Sequence, residues 1–106
     1  MVLIKNVKIV PDLEGWLLLD FDDHTRKLVN INPQMYGVLA KLQDQTFFAE
    51  VFVDKELQTV SWPGELDLDP DKLYEDGIDV EQVKNLVRAV KNKDGFSNFI
   101  EKEVAY

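Results

Sequence analysis

The chain has no cysteine, a single histidine and no uninterrupted apolar run long enough to cross a membrane. Without cysteine there are no disulfides, thiolate nucleophiles or thiolate metal sites, and a reducing compartment is a sufficient setting, with the cytosol as the default. The opening stretch MVLIKNVKIVPD is broken by Lys5, Asn6 and Lys8. That leaves no apolar core for a signal peptide and nothing near the ~18 residues of a membrane span, so a soluble cytoplasmic protein without a membrane partner is expected. Proline (4) and glycine (5) are scarce, and no repeat or low-complexity segment interrupts the chain. A disordered or fibrous class is therefore not expected. No GxSxG, HExxH, GxGxxG or Walker sequence is present, and Ser61 and Ser97 have no neighbouring histidine, so a hydrolase reading has no support.

Basic residues are also few: 12 Lys and Arg stand against 20 Asp and Glu, a formal charge of −8. They are scattered as isolated pairs such as Arg26-Lys27, whereas nucleic-acid binding by counterion release needs a basic face. No nucleic-acid partner is expected. The acidity has two readings, solubility of a small protein and attraction of a basic partner.

What is present is a globular composition, 45% hydrophobic and 10% aromatic, in 106 residues. That length fits one domain, able to bury roughly 65% of the surface of its unfolded chain. Residues 2–10 read as a strand, with Val2, Ile4 and Val10 on one side and Leu3, Val7 and Ile9 on the other. WLLLDFDDHTRKLVNI reads as a hairpin about Asp22-Asp23-His24-Thr25. A two-residue loop at Asp23 and His24 would place Asp20 opposite Lys27 and Leu19 opposite Leu28. Asn32-Pro33 opens a short or kinked helix, with Asn32 as N-cap and Gly37 interrupting it, and Asp44 caps a further turn at QTFF. AEVFVD and QTVSW alternate as two more strands about a loop at KEL. Asp69-Pro70-Asp71 is a cap, a first-turn proline and a first-turn acid, and starts a short helix. From Ile78-Asp79 a longer helix is expected, with Asp79 as cap, Gln82 completing a capping box, Ile78 stapled to Val83, and Val80, Val83, Val87 and Val90 on one stripe.

Three groups resemble sites. Asp67, Asp69 and Asp71 alternate like the start of a calcium loop, but the sixth and twelfth positions, where glycine and glutamate are needed, hold Lys72 and Ile78. Capping of the following helix is the better reading. Asp20, Asp22, Asp23 and His24 place carboxylates beside the one imidazole, as an acid/base pair or a metal site would require. Against this, histidine tolerates the left-handed backbone of a tight turn, which explains the same residues without chemistry. Trp16, Trp62 and Tyr74 are candidates for a pocket lining, and equally for core plugs.

The stretch VFVDKELQTVSWPGELDLDPDKLYE resembles the bacterial domain-of-unknown-function (DUF) 2442 family. The resemblance is carried by Phe48, Val51, Val53, Asp54, Thr59, Val60, Trp62, Pro63, Asp67, Pro70, Leu73 and Tyr74, with VKIVPD and LLLDFDD matching the opening strands. It covers about residues 4–75 and departs where the family commonly has glycine, at His24 and Gln58. The resemblance implies a small α+β fold of three strands, helix, two strands, helix, with no known activity. It also implies membership in two-gene bacterial modules of the toxin and antitoxin type.

The expectation is an α+β protein with an antiparallel sheet, residues 1–77 forming the small domain and 78–106 a helix and apolar tail packed on it or on a second subunit. Function is expected to be non-catalytic protein–protein interaction, without cofactor or metal. The candidate partner-binding residues are Val83, Val87, Val90, Phe96, Phe99 and Ile100, most simply in a homodimer. The competing expectation is a small-molecule or metal-dependent enzyme using Asp20, Asp22 and His24. Trp62, Pro63, Asp67, Pro70, Leu73 and Tyr74 are expected to be structural.

Overall fold

The structure is a computed structural model that describes residues 2–82, 84 and 85. In chain order its elements are β1 (Ile4–Ile9), β2 (Trp16–Phe21), β3 (Arg26–Asn30), two 3-10 segments (Asn32–Gln34 and Gly37–Gln43), α1 (Gln45–Phe48), β4 (Phe52–Asp54), β5 (Thr59–Trp62), β6 (Leu66–Asp67), α2 (Pro70–Asp76) and β7 (Ile78–Asp79). The class is α+β with antiparallel pairing throughout. The strands divide between two sheets, a four-stranded β1-β2-β3-β7 and a three-stranded β4-β5-β6. The amide of Ile4 donates to the carbonyl of Gln58 at 2.9 Å and ties the sheets together at their margins.

Alternation along each strand places the core. Leu17, Leu19, Phe21 and Val29 of the larger sheet meet Val60 and Trp62 of the smaller one, with Ile31, Met35, Leu42, Phe48, Leu68 and Leu73 closing the cluster. The intervening positions Leu18 and Leu28 point the other way and join Val10 and Val80 in a second buried cluster. Both faces of the larger sheet are thus covered, which is why WLLLDF is apolar at successive positions rather than alternate ones.

Two details differ from the alternation expected of the sequence. In β1 the pairing shifts between Ile4 and Asn6, a bulge at Lys5. The extra residue moves Val7 to the same cluster as Ile4, while Val10 falls in the other one. In the β2–β3 hairpin Asp20 lies opposite Arg26, Leu19 opposite Lys27 and Leu18 opposite Leu28, one residue from the two-residue-loop register. The loop has three residues, 22–24, because Phe21 and Thr25 still exchange a bond (Phe21 N–H to Thr25 carbonyl, 2.9 Å). His24 closes it with φ 70°, the left-handed position of such a loop.

Asn32–Gln43 is 3-10 rather than α-helical. Met35 and Tyr36 separate the two segments, Gly37 opens the second at φ 58°, and Asn32 is the first helical residue, not the cap. Its side-chain Nδ2 instead donates to the Glu14 carbonyl at 2.9 Å and to Asn30 Oδ1 at 2.8 Å. The segments still bury Met35 and Leu42, but they leave Tyr36 74% and Val38 81% exposed. The other caps form as the sequence indicates. Asp44 accepts from the amides of Thr46 (2.9 Å) and Phe47 (3.4 Å), and Asp69 from Asp71 (3.0 Å).

β7 adds two residues to β3 and delivers the chain to a helix that begins at Val80, where the Glu81 amide donates to Asp79 at 2.8 Å. Val80 is 2% exposed, packed with Val10, Leu18 and Leu28. Val83, Val87, Val90, Phe96, Phe99 and Ile100 lie outside the described residues.

Candidate functional site

The aspartates of the D-x-D-x-D stretch diverge. Asp67 Oδ1 accepts from the buried hydroxyl of Ser61 at 2.6 Å, Asp69 caps α2, and Asp71 Oδ1 accepts from the amide of Val2 at 3.3 Å. Each carboxylate satisfies a different part of the scaffold. Among the described residues no group of three or more His, Asp or Glu side chains is placed to hold a metal ion.

The hairpin-end cluster does border a cavity. An open groove of ≈ 600 Å³ is lined by Lys5, Asp20, Phe21, Asp22, His24, Thr25 and Arg26, and by Asp79, Val80 and Glu81 from the chain beyond β7. Within it Asp20 is held by Arg26, through Nε to Oδ1 at 2.6 Å and Nη2 to Oδ2 at 3.3 Å. The observed register sets this pair directly across the hairpin. Asp22 Oδ1 accepts from the Leu3 amide at 3.1 Å, and the Asp22 amide donates to the Leu3 carbonyl at 2.8 Å, which closes the free end of β1 onto the turn. Asp20, Asp22 and His24 thus share one groove, but the two carboxylates are bonded to different neighbours and His24 supplies the turn.

Asp23 points the other way. Its Oδ2 accepts from the Tyr74 hydroxyl at 2.7 Å and its Oδ1 from the Thr25 amide at 2.9 Å. The Tyr74 hydroxyl, then the Thr25 hydroxyl and amide, hold this carboxyl below the usual carboxylate range. Tyr74 also packs edge-on against Phe21 (centroids 4.9 Å apart, 87°), and Lys27 Nζ lies 3.9 Å from the centre of its ring while donating to its carbonyl at 2.8 Å. One tyrosine therefore clamps α2 to the β2–β3 hairpin by its hydroxyl, ring and carbonyl. The Lys27 stem lies where a side chain on Gly77 would be, 2.9 Å from a Cβ there, so the residue after α2 has room only for hydrogen.

Trp62 is fully buried, its Nε1–H donating to the Phe48 carbonyl at 2.8 Å and its ring tilted on Phe48 at 5.6 Å. Pro63 opens the β5–β6 turn, Gly64 and Glu65 follow at φ 93° and 62°, Pro70 starts α2, and Leu73 is fully buried beneath it. Of the aromatic candidates, Trp62 is core and Tyr74 the clamp. Trp16 is half-buried beside the outer cluster.

This Trp-to-Tyr segment lies within the part of the chain that matches a known family. The family model described as "Protein of unknown function (DUF2442)" matches residues 4–79. The chain belongs to the DUF2442 family. No curated protein and no solved structure matches it. In this DUF2442 chain the match runs from the first residue of β1 to the last of β7, so it spans both sheets. His24 and Gln58, the positions where the resemblance expects glycine, both have positive φ, at 70° and 54°. The residues that sequence reasoning did not single out are Tyr36 and Val38, exposed on either side of Gly37. Gly37, which interrupts the helical pattern between them, is the signal in the sequence that points to this stretch.

Proposed function

We propose that this DUF2442 protein is a non-catalytic interaction module that binds a protein partner. The observation that carries this reading is the exposure of Tyr36 and Val38, at 74% and 81%, on a segment anchored by buried Met35 and Leu42 and by the Gln43 amide nitrogen bonded to the Met35 carbonyl at 2.7 Å. Large apolar side chains exposed on both sides of Gly37, on a stretch anchored in the core, offer a partner a contact surface. The carboxylates that resemble chemistry support the same reading, because they bond to the scaffold. The charge of −8 favours a basic partner. A specific form of the reading, suggested by the family resemblance, is the antitoxin-like member of a bacterial two-gene module. The stripe of Val83, Val87 and Val90 with Phe96, Phe99 and Ile100 adds self-association, most simply a homodimer, which sedimentation of the full chain tests.

The reading is tested by passing a host extract at low ionic strength over the immobilised full chain and over a Tyr36→Ser/Val38→Ser variant. A partner held by the first and lost by the second is the expected result. Absence of any retained protein contradicts the reading.

A second reading, a metal-dependent enzyme, is favoured by the groove that Asp20, Asp22 and His24 share. Titration of Mg²⁺, Mn²⁺ and Zn²⁺ against thermal stability separates the two. A metal bound at a hundredfold its Kd adds about 2.7 kcal/mol. The interaction reading predicts no shift.

A further inference from the structure

A second groove lies at the opposite end of β2 from the hairpin turn. The loop between β1 and β2 supplies Pro11 and Leu13, β2 supplies Trp16, and α1 with the residue after it supplies Phe48 and Ala49; together they line an apolar hollow of ≈ 230 Å³. It runs into a neighbouring hollow of ≈ 310 Å³ that shares Glu14, Gly15, Gln45 and Phe48 with it and reaches Met35 and Leu42, the anchors of the segment that exposes Tyr36 and Val38.

The charges of this groove are of one sign. Among the described lining residues of both hollows the only ionisable side chains are Asp12 and Glu14. Both are exposed, and neither carboxylate accepts a hydrogen bond from a described residue. They contrast with Asp20, Asp22, Asp23, Asp44, Asp54, Asp67, Asp69 and Asp71, whose carboxylates are bonded within the fold. Asp12 holds its position with a left-handed φ of 63°, a conformation that an L-residue adopts only at some cost.

From this we infer that the groove is the docking site for a segment of the partner protein in which a large apolar side chain is flanked by lysine or arginine. The inference rests on the interaction reading above and adds where the partner sits and what it presents. The apolar side chain fills the hollow between Trp16 and Phe48, and the flanking cations meet Asp12 and Glu14. Unpaired rim carboxylates steer a basic segment and select against an acidic one, while the buried side chain supplies most of the affinity.

The test uses the full chain labelled with ¹⁵N and two capped hexapeptides, Lys-Lys-Phe-Leu-Lys-Lys and Glu-Glu-Phe-Leu-Glu-Glu. The basic peptide is expected to shift the amides of Leu13, Gly15, Trp16 and Ala49 saturably, to weaken as salt rises, and to bind at least tenfold more tightly than the acidic one. Asp12→Asn/Glu14→Gln is expected to lose about tenfold in affinity for the basic peptide with the remaining amide spectrum unchanged. Asn tolerates the left-handed backbone, so this variant keeps the loop. Equal affinity for both peptides, shifts confined to another surface, or no binding overturns the groove assignment. In each of those cases a host partner retained through Tyr36 and Val38 leaves the interaction reading standing. Peptide binding in the groove with no retained host partner contradicts that reading instead.

Discussion

His24 and Gln58 hold a backbone that glycine adopts freely, with φ 70° and 54°, and each sits at the end of a hairpin loop. A left-handed L-residue costs about 1–2 kcal/mol, which replacement by glycine recovers, less the roughly 0.4–1 kcal/mol that glycine adds to the entropy of the unfolded chain. His24→Gly and Gln58→Gly are therefore each expected to leave stability unchanged or to raise it by up to about 1 kcal/mol in urea denaturation. A loss of more than that from His24→Gly would mean the imidazole makes an interaction beyond its turn. Asp23 gives the residue-scale pH dependence. Its folded-state pKa is lowered, by the Tyr74 hydroxyl first, so its stabilising contribution is complete above the unfolded value of about 3.9 and is lost as pH falls through the lowered folded value. Tyr74→Phe should bring the midpoint of Asp23, followed by carboxyl-carbon NMR, up toward the ordinary range. An unmoved midpoint would show that the Thr25 bonds alone set it.

Between elements, most of the architecture follows from signals that are local in the chain. The caps at Asp44, Asp69 and Asp79 and the strands at TVSW and WLLLDF need only neighbouring residues to be recognised, because a carboxylate bonds an amide two or three positions on and a strand alternates by two. The features that were not legible depend on distant partners. The bulge at Lys5 lies next to a bond from the Ile4 amide to Gln58, in the distant loop between β4 and β5. The three-residue turn at 22–24 closes with a Phe21–Thr25 bond and is met by Leu3, a residue distant in the chain, at Asp22. The exposure of Tyr36 and Val38 goes with a left-handed Gly37 between them and a chain that follows 3-10 rather than α-helical geometry. In the candidate site, the residue types at Asp20, Asp22 and His24 were readable, whereas the Arg26 pairing needed the true register. Trp62 shows how closely the smaller sheet depends on α1. Removing its ring and the bond from Nε1 to the Phe48 carbonyl makes Trp62→Ala a loss of about 3–5 kcal/mol. Trp62→Phe should lose less, because it keeps an aromatic ring in the site while giving up the hydrogen bond and part of the indole volume, and thermal or urea unfolding of the two variants checks the order. Equal losses would show that the phenyl ring contributes nothing at this site.

As a whole, the molecule joins two antiparallel sheets around one main core and places its groups in two zones. At the hairpin end, carboxylates and cations close on each other and on backbone amides. At the far end of β2 and along the 3-10 segments, apolar side chains are exposed, together with the carboxylates of Asp12 and Glu14, which no described residue bonds. No helix among the described residues is long and apolar enough to cross a membrane. The division predicts that partner binding depends on the second zone and is indifferent to the first. The most direct measurement is retention of the host partner by three immobilised proteins side by side: the unaltered chain, Asp20→Asn/His24→Gly, and Tyr36→Ser/Val38→Ser. The account predicts that the first two retain the same partner to the same extent and that the third loses it. Loss of the partner with Asp20→Asn/His24→Gly and its retention by Tyr36→Ser/Val38→Ser would contradict the account and place the function at the hairpin groove.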